Sequence, residues 1–171
     1  YGETKLAGER AVQQVGGVYW IFRTSWVYSL RRPNFVTKVL QWAREHETLR
    51  IVDDQISSPT WARSLAEATA QVIAKFNSNI IKLITDNSGL YHISDHGFCS
   101  RYEWAKAIIK YNYQKESLLT RNIIPAKSEE FQTKAARPKI SGMNCLKSTK
   151  SFHIKMPDWS VSLMLMMDSN I

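Results

Sequence analysis

Tyr1 and Lys5 stand four positions apart at the start of this 171-residue chain. The residues around them are mostly good helix formers, and in a helix positions i and i+4 lie on the same face. A free phenol has a pKa of about 10, and a cation within hydrogen-bonding range favours its ionised form. Such a tyrosine can exchange a proton with a sugar or alcohol oxygen. The alternative is an ordinary tyrosine and lysine on a solvated helix face.

The residues around this pair resemble those of a known family. The pattern Tyr-Gly-x-Thr-Lys-x-x-Gly-Glu over residues 1–9 is followed by Phe-Arg-Thr-Ser-Trp-Val-Tyr over residues 22–28. Together they resemble the extended short-chain dehydrogenase/reductases, and within them most closely the dTDP-4-dehydrorhamnose reductase family. The resemblance implies NADPH- or NADH-dependent reduction of the 4-keto group of a dTDP-linked 6-deoxysugar, the last step in making dTDP-L-rhamnose.

Further matches follow in the family's order up to about residue 163. The family's Asp-Gln-x-Gly-x-Pro-Thr pattern falls on residues 54–60, with Ser57 at the glycine position. Matches to Gly-x-Tyr-His, Ser-x-Tyr-Glu, Ala-x-Arg-Pro-x-x-Ser-x-Leu and Pro-x-Trp follow, with Met143 where leucine is usual. The order of these matches is more informative than any single one.

The resemblance implies catalytic and cofactor-binding roles for four residues. Tyr1 is expected to be the general acid that delivers a proton to the sugar C4 oxygen as hydride arrives. Lys5 is expected to lower the pKa of that tyrosine and to bind the cofactor ribose. Thr24 and Ser25 lie where the family's chain passes the nicotinamide, and the alternative is that they cap a turn. A Ser or Thr that completes this arrangement in the family precedes the tyrosine and lies outside the chain.

Three more residues are expected at the substrate. Trp26 can pack against the apolar face of a deoxysugar or the cofactor, or it can belong to the hydrophobic core. Arg137 can bind the diphosphate bidentately, or it can form a salt bridge that ties down the C-terminal segment. Asn34 can hydrogen-bond the nucleotide or cap its helix, and capping is the favoured interpretation.

The apolar periodicity predicts an α/β fold: the C-terminal part of a Rossmann-type parallel sheet with helices, plus a small α/β substrate-binding lobe. A helix stops at Gly16–Gly17, and the apolar run over residues 18–22 predicts a strand buried on both faces. Trp26 then lies near the carboxyl edge, where ligands bind in open α/β sheets. We expect a single partial domain. Residues 1–76 would end the Rossmann-like core with interleaved lobe elements, and residues 77–171 would form mainly the lobe and the C-terminal segment.

The remaining elements are predicted from capping and turn residues. A second helix opens at residues 33–35, a strand covers residues 48–52, and Thr60 is expected to cap a helix that runs to about Phe76. A loop is expected at residues 77–79, and a strand over residues 89–94. Ser100 and Glu103 form a capping box for another helix. Beyond Tyr113 the periodicity fades.

No glycine-rich phosphate loop occurs in the sequence, and the first residue is not Met. Given the resemblance, we expect a C-terminal piece whose N-terminal dinucleotide-binding half lies outside the chain. We also expect the piece to be inactive alone, because nothing in it would position a hydride donor. A degenerate gene remnant is the alternative interpretation.

The net charge is +8, from 23 Lys and Arg against 15 Asp and Glu. Residues 101–155 carry most of the excess, with 12 basic and 4 acidic side chains. A surface of this kind can be merely solvated, or it can attract a small anion such as a nucleotide diphosphate. A run of five or six like charges is missing, so a nucleic-acid partner is not expected.

Cysteine spacing and hydropathy indicate the cellular context. Cys99 and Cys145 are not in a C-x-x-C arrangement, and free thiols in a cytoplasmic protein are expected. The sequence contains no run of 18 apolar residues, so a membrane span is not predicted. The residue pattern predicts no metal site, whereas the resemblance allows a homodimer assisted by Mg²⁺.

Two other functions fit the same residues. One is an extended reductase that acts on another nucleotide sugar as an epimerase or dehydratase, although Trp26 and the Arg137 segment favour the rhamnose branch. The other is a non-catalytic regulatory subunit that resembles the regulatory subunit of methionine adenosyltransferase. The presence of both Tyr1 and Lys5 argues against that second function.

Overall fold

The computed structural model describes residues 1–77, 85–131, 135 and 137–168. Within these ranges the helices are α1 (Gly2–Val15), α2 (Phe35–Glu45), α3 (Ala62–Asn77), α4 (Arg101–Tyr111), α5 (Leu146–Phe152) and α6 (Trp159–Asp168). The strands are β1 (Trp20–Arg23), β2 (Val27–Tyr28), β3 (Thr48–Val52), β4 (Ile56–Ser57), β5 (Thr60–Trp61), β6 (Gly89–His92), β7 (Cys99–Ser100) and β8 (Asn122–Ala126). This alternation of helices with mainly parallel strand pairs confirms the predicted α/β class.

α1 carries the Tyr1–Lys5 pair and is tied to the end of β1. The helix ends at Gly16–Gly17, which both adopt a φ of 77°, a conformation that glycine tolerates without steric cost. Arg23 at the end of β1 donates hydrogen bonds to both carboxylate oxygens of Glu9, at 2.7 and 2.6 Å. Because Glu9 lies in the middle of α1, the N-terminal half of the helix projects beyond the carboxyl end of β1.

Four strand pairs position the loops of the molecule. β1 with β6, β2 with β5 and β3 with β8 are parallel, and β4 with β7 is antiparallel. Ile56 of β4 also forms a bridge to Ile140. The Ile56 N–H donates to the carbonyl of Lys139 at 2.7 Å, and the Ser141 N–H donates to the carbonyl of Ile56 at 2.9 Å. The C-terminal segment that contains Arg137 therefore runs beside β4 and close to the start of α4.

Two groups of buried side chains hold these elements together. The larger one surrounds Trp104, whose ring contacts the rings of Tyr28 and Phe35, and it includes apolar residues of α2, β3, α4 and α6. The smaller one lies between α3, β6 and α5. Its members are Ala68, Val72, Tyr91, Ile93, Phe152 and Ile154. The first group supports the loop after β1, and the second supports β1 and β6.

The prediction of a doubly buried strand over residues 18–22 is wrong in extent and burial. β1 begins at Trp20, and Val18 is 46% exposed. Trp20, Ile21 and Phe22 are only half-buried. A strand is buried on both faces only when layers cover both, and in the described part of the chain β1 pairs with β6 alone.

The prediction that Thr60 caps the third helix is also wrong. Thr60 lies in β5, its hydroxyl donates to the carbonyl of Ser58 at 3.3 Å, and α3 begins at Ala62. The amide of Trp61, just before the helix, donates to Asp95 Oδ2 at 3.1 Å. A carboxylate from a remote segment therefore holds the residue just before α3, a contact that the local pattern does not predict.

Several other local predictions are confirmed. The strand over residues 48–52 is β3, the second helix opens at Phe35, and Ser100 and Glu103 form the predicted capping box of α4. The predicted strand over residues 89–94 is shorter, since β6 ends at His92. Part of the loop predicted at residues 77–79, namely Ser78 and Asn79, lies outside the described residues. So does Ala136, which belongs to the Ala-x-Arg-Pro family match. Among the residues that are described, no helix is long and apolar enough to cross a membrane.

Candidate active site

Tyr1 and Lys5 lie side by side at the exposed end of α1. The Lys5 Nζ is 5.5 Å from the centre of the Tyr1 ring, as the i, i+4 spacing predicts. Tyr1 is 94% exposed. Its carbonyl accepts from the Lys5 N–H at 3.1 Å and from Thr4 Oγ1 at 2.8 Å, which fixes the first helical turn. The ring and the ammonium are thus accessible to a ligand, and their catalytic role stays a prediction.

The position of α1 directs Tyr1 towards the region beyond the carboxyl end of β1. Tyr1 precedes Glu9 by eight residues, about 12 Å along the helix axis at 1.5 Å per residue. Because Glu9 contacts Arg23, Tyr1 projects past the strand end that Thr24 and Trp26 follow. Among the described residues no hydrogen bond or ring contact joins Tyr1 to this loop directly.

Thr24 and Ser25 differ in what their hydroxyls do. The Thr24 Oγ1 is buried, and the described residues offer it no hydrogen-bond partner. The Ser25 Oγ donates to the carbonyl of Ser58 at 2.8 Å. A buried hydroxyl without a partner is costly, so Thr24 is the better candidate to meet a ligand. The bond from Ser25 instead holds two loops together, which agrees with the structural alternative.

Trp26 combines a core contact with a strained backbone. Its φ of 42° is unusual for a residue with a side chain. Its indole stacks on that of Trp104, with ring centres 5.5 Å apart and planes inclined by 12°. Its carbonyl accepts from the Thr60 N–H at 3.2 Å. The half-buried ring is therefore fixed by the core and keeps part of its surface available.

Asn34 caps α2, as the favoured interpretation predicts. Its Oδ1 accepts from the Val36 N–H at 2.9 Å, and its Nδ2 donates to the carbonyls of Ser29 and Arg32. Thr37 completes a capping box by accepting from the Asn34 N–H at 2.9 Å. Because these bonds engage both ends of the amide, substrate binding by Asn34 stays a prediction without support from the geometry.

Arg101 and Gln55 are site residues that sequence reasoning missed. The Arg101 guanidinium lies 4.4 Å from the centre of the Trp26 ring and 5.1 Å from that of Phe35. Its Nε donates to Gln55 Oε1 at 3.0 Å, and its backbone N–H donates to the Gln55 carbonyl at 3.2 Å. β4 and β7, which bring these residues together, are two residues long, too short for a hydrophobic period to reveal them.

The environment of Arg101 is electropositive. Burial, and then the positive charge of Arg137, lower the pKa of Arg101. Arg137 itself is exposed. The predicted salt-bridge alternative for Arg137 finds no support, because no carboxylate in the described ranges lies within 4.0 Å of it. The structure thus groups Trp26 with two arginines whose charges are not neutralised by an adjacent acid.

The cysteines and the acidic residues add no metal chemistry to this region. Cys99 and Cys145 are free thiols, and burial raises the pKa of the Cys99 thiol, which makes it a poor nucleophile. Within the part of the chain that the structure describes, no group of three or more His, Cys, Asp or Glu side chains could hold a metal ion. The candidate site therefore has two parts. Tyr1 and Lys5 lie at the exposed end of α1. Arg101 contacts both Gln55 and Trp26, which follows β1, with Thr24 nearby in the chain and the charge of Arg137 acting on Arg101.

Comparison with known proteins places this chain in a family. The model of the RmlD substrate binding domain matches residues 1–170. The dTDP-4-dehydrorhamnose reductase of Escherichia coli (strain K12) is 36% identical over 169 residues, which are 98% of this chain and 55% of that protein. A spore coat polysaccharide biosynthesis protein of Bacillus subtilis (strain 168) is 39% identical over 141 residues, 82% of this chain and 44% of that protein.

A solved structure agrees with these sequence matches. The dTDP-4-dehydrorhamnose reductase of Bacillus anthracis str. Ames, determined in complex with NADP, superposes with a TM-score of 0.84 and 33% identity. The superposition covers 100% of this chain and 55% of that one, so the chain spans about half the length of the relatives it matches. The chain therefore belongs to the RmlD substrate binding domain family, among relatives named dTDP-4-dehydrorhamnose reductase.

Proposed function

We propose that this chain is the substrate-binding part of a reductase that converts dTDP-4-dehydrorhamnose to dTDP-L-rhamnose with NADPH or NADH. One observation carries the proposal. The Trp26 ring, with Arg101 against it and the charge of Arg137 acting on Arg101, follows the same strand end towards which the Tyr1–Lys5 helix projects. A phenol, an indole and two guanidiniums are the groups that a keto sugar joined to a diphosphate requires.

Each residue then has a distinct task. Tyr1 gives a proton to the sugar C4 oxygen, and Lys5, beside its ring, stabilises the negative charge that remains on the phenol. Trp26 offers the accessible part of its half-buried indole to the deoxysugar, and its stacking on Trp104 fixes the orientation of the ring. Arg137 binds the diphosphate.

The residues present also fit a nicotinamide cofactor. The unpaired, buried hydroxyl of Thr24 lies after β1, where it can hydrogen-bond a carboxamide, and the exposed Lys5 can reach a ribose. When bound, NADPH or NADH supplies the hydride for the C4 carbon. The NADP that the Bacillus anthracis relative binds supports this assignment. A nucleotide-sugar substrate also favours a cytoplasmic location.

Binding and turnover test this proposal separately. Titration calorimetry on the purified chain with dTDP-L-rhamnose should show binding, and Trp26→Ala should weaken it by about tenfold, because the indole supplies the apolar contact. NADPH oxidation in the presence of dTDP-4-dehydrorhamnose should be absent, since no described residues form a phosphate-binding loop.

Two results would contradict the proposal. Failure of the folded chain to bind dTDP-L-rhamnose would remove the substrate assignment, and steady NADPH oxidation by the chain alone would show that it needs no further cofactor-binding part. Ile124→Ala is a suitable control, because Ile124 is 42% exposed in β8 and belongs to neither core group.

A further inference from the structure

We propose that Arg101 is a specificity-determining residue of this site, and that it binds a diphosphate jointly with Arg137 while resting on the face of Trp26. Arg101 is not among the residues that the family resemblance assigns. The identity of the diphosphate, part of a nucleotide sugar, rests on the proposed function, whereas the anion site itself rests on the geometry alone.

The first argument is the unusual placement of two like charges. Arg101 is half-buried, and Ile56 pairs both with Ser100, just before Arg101, and with Ile140, three residues after Arg137. The two arginines therefore lie in neighbouring segments, and the charge of Arg137 lowers the pKa of Arg101. In the described ranges neither guanidinium has a carboxylate within 4.0 Å. A partly desolvated charge beside a like charge is costly unless an anion neutralises it. An anion with two charged ends removes this cost at both arginines.

The nearby carboxylates are already engaged by lysines. Lys139 lies 3.8 Å from Asp54 and 3.9 Å from Glu129, and Lys127 lies 2.9 Å from Asp53. The acids closest in sequence to Gln55 therefore have cationic partners of their own. Because they do not pair with the arginines, the two guanidiniums remain available to an external anion.

The second argument is that Arg101 is held ready for binding. Its guanidinium carbon lies 4.4 Å from the Trp26 ring centre and 5.1 Å from that of Phe35, and its Nε donates to Gln55 Oε1. These contacts use the faces and one edge of the guanidinium and leave the terminal amino groups for a bidentate ligand. An arginine fixed in this way loses little side-chain entropy when it binds.

The third argument connects the anion to the sugar. A phosphate hydrogen-bonded to Arg101 at about 2.8 Å lies close to the indole, since the guanidinium is 4.4 Å from the Trp26 ring centre. A sugar joined to that phosphate through one oxygen then reaches the ring of Trp26. Arg101 thereby sets the register between the diphosphate and the sugar, a task that the exposed Arg137 cannot perform alone.

The test is calorimetric titration of the purified chain with inorganic pyrophosphate, with orthophosphate as the shorter anion. Arg101→Gln and Arg137→Gln should each weaken pyrophosphate binding by about tenfold or more, because each removes a charge-assisted contact. Arg101→Lys, which keeps the charge but not the planar fork, should recover only part of the affinity. Orthophosphate should bind more weakly and lose less on either change, because it cannot span both arginines.

Arg63 is a matched control. It also lies over an indole, 5.5 Å from the Trp61 ring centre, but Glu67 neutralises it at 2.7 Å. Arg63→Gln should leave pyrophosphate affinity unchanged. Equal losses in Arg63→Gln and Arg101→Gln, or wild-type affinity in folded Arg101→Lys, would overturn the proposal. Pyrophosphate binding through Arg101 that dTDP-L-rhamnose does not displace would keep the anion site and contradict the proposed function instead.

Discussion

At the scale of single residues, the environment of each side chain decides its role more than its type does. Thr24 and Ser25 are adjacent hydroxyls, yet only the Ser25 hydroxyl is engaged by a neighbouring loop. Asn34, whose type suits nucleotide binding, caps α2 with its Oδ1 and binds carbonyls of the preceding loop with its Nδ2. Arg101 gains a candidate role because its guanidinium lies against the rings of Trp26 and Phe35.

Asp95 is the residue whose burial makes stability depend on pH. It is 1% exposed, and burial raises its pKa to about 6 from an ordinary value of 3.8, although the Trp61 amide donates a hydrogen bond to it. The folded state thus holds a proton that the unfolded state releases between about pH 4 and 6. The contribution of Asp95 to the free energy of unfolding is therefore present below pH 4 and is lost as the pH rises through 6, by about 3 kcal/mol in total.

We expect Asp95→Asn to lose this pH dependence. Urea unfolding measured at pH 4, 5, 6 and 7 should give a wild-type minus variant difference in unfolding free energy that decreases as the pH rises. The difference isolates Asp95 from carboxylates such as Glu9, whose pKa is lowered by the hydrogen bond from Arg23. Asp86→Asn, at an exposed carboxylate, is the control. A constant difference across the pH range would show that Asp95 does not titrate there.

At the scale of the elements, local sequence signals predicted the helix ends that neighbouring residues define. They missed the contacts that depend on segments distant in sequence. The Ser100–Glu103 capping box and the glycines after α1 lie within four residues of the helix ends they define, so the sequence reveals them. The acceptor for the Trp61 N–H, just before α3, is Asp95, which lies more than thirty residues away. The proximity of Arg101 to Arg137 likewise depends on the pairing of Ile56 with two distant segments, which no local period shows.

The attachment of α1 is an element-scale property that one ion pair controls. No residue of α1 is buried, so the helix has little hydrophobic anchoring, and the Glu9–Arg23 pair holds it at the end of β1. A surface ion pair contributes little to global stability. Arg23→Gln should therefore leave the thermal midpoint nearly unchanged while amide hydrogen exchange in α1 accelerates.

The same release should occur in the wild type at low pH. The pKa of Glu9 is lowered by the hydrogen bond from Arg23, so the contact is complete above the ordinary value of 4.5 and is lost as the pH falls through the folded-state pKa. Arg50→Gln, which breaks the separate contact to Glu130, should not change exchange in α1. Unchanged α1 protection in Arg23→Gln would mean that the pair does not anchor the helix.

At the scale of the whole molecule, α1 exposes apolar side chains and β1 has an unpaired edge in the described residues. Both features are typical of elements that pack against a further part of a protein. Val12 and Val15 of α1 are 44% and 86% exposed, and in the described part of the chain β1 has one paired edge. The relatives are longer, since the match covers 55% of the Escherichia coli protein. We propose that a dinucleotide-binding part, such as the one that the family resemblance implies, covers this surface by pairing with β1 and packing on α1.

Co-expression of the chain with the unmatched part of the Escherichia coli relative tests this assembly. A stable complex should form, and it should oxidise NADPH when dTDP-4-dehydrorhamnose is added, because the hydride donor and the Tyr1–Lys5 pair would then share one site. Val15→Asp should weaken the complex by placing a charge in the new interface.

Tyr1→Phe should assemble normally yet lose turnover by about a hundredfold or more, because it keeps the helix and removes only the proton donor. A complex that is active with Tyr1→Phe would exclude Tyr1 as the acid, and a failure to assemble with the wild-type chain would show that the exposed faces of α1 and β1 do not take such a partner.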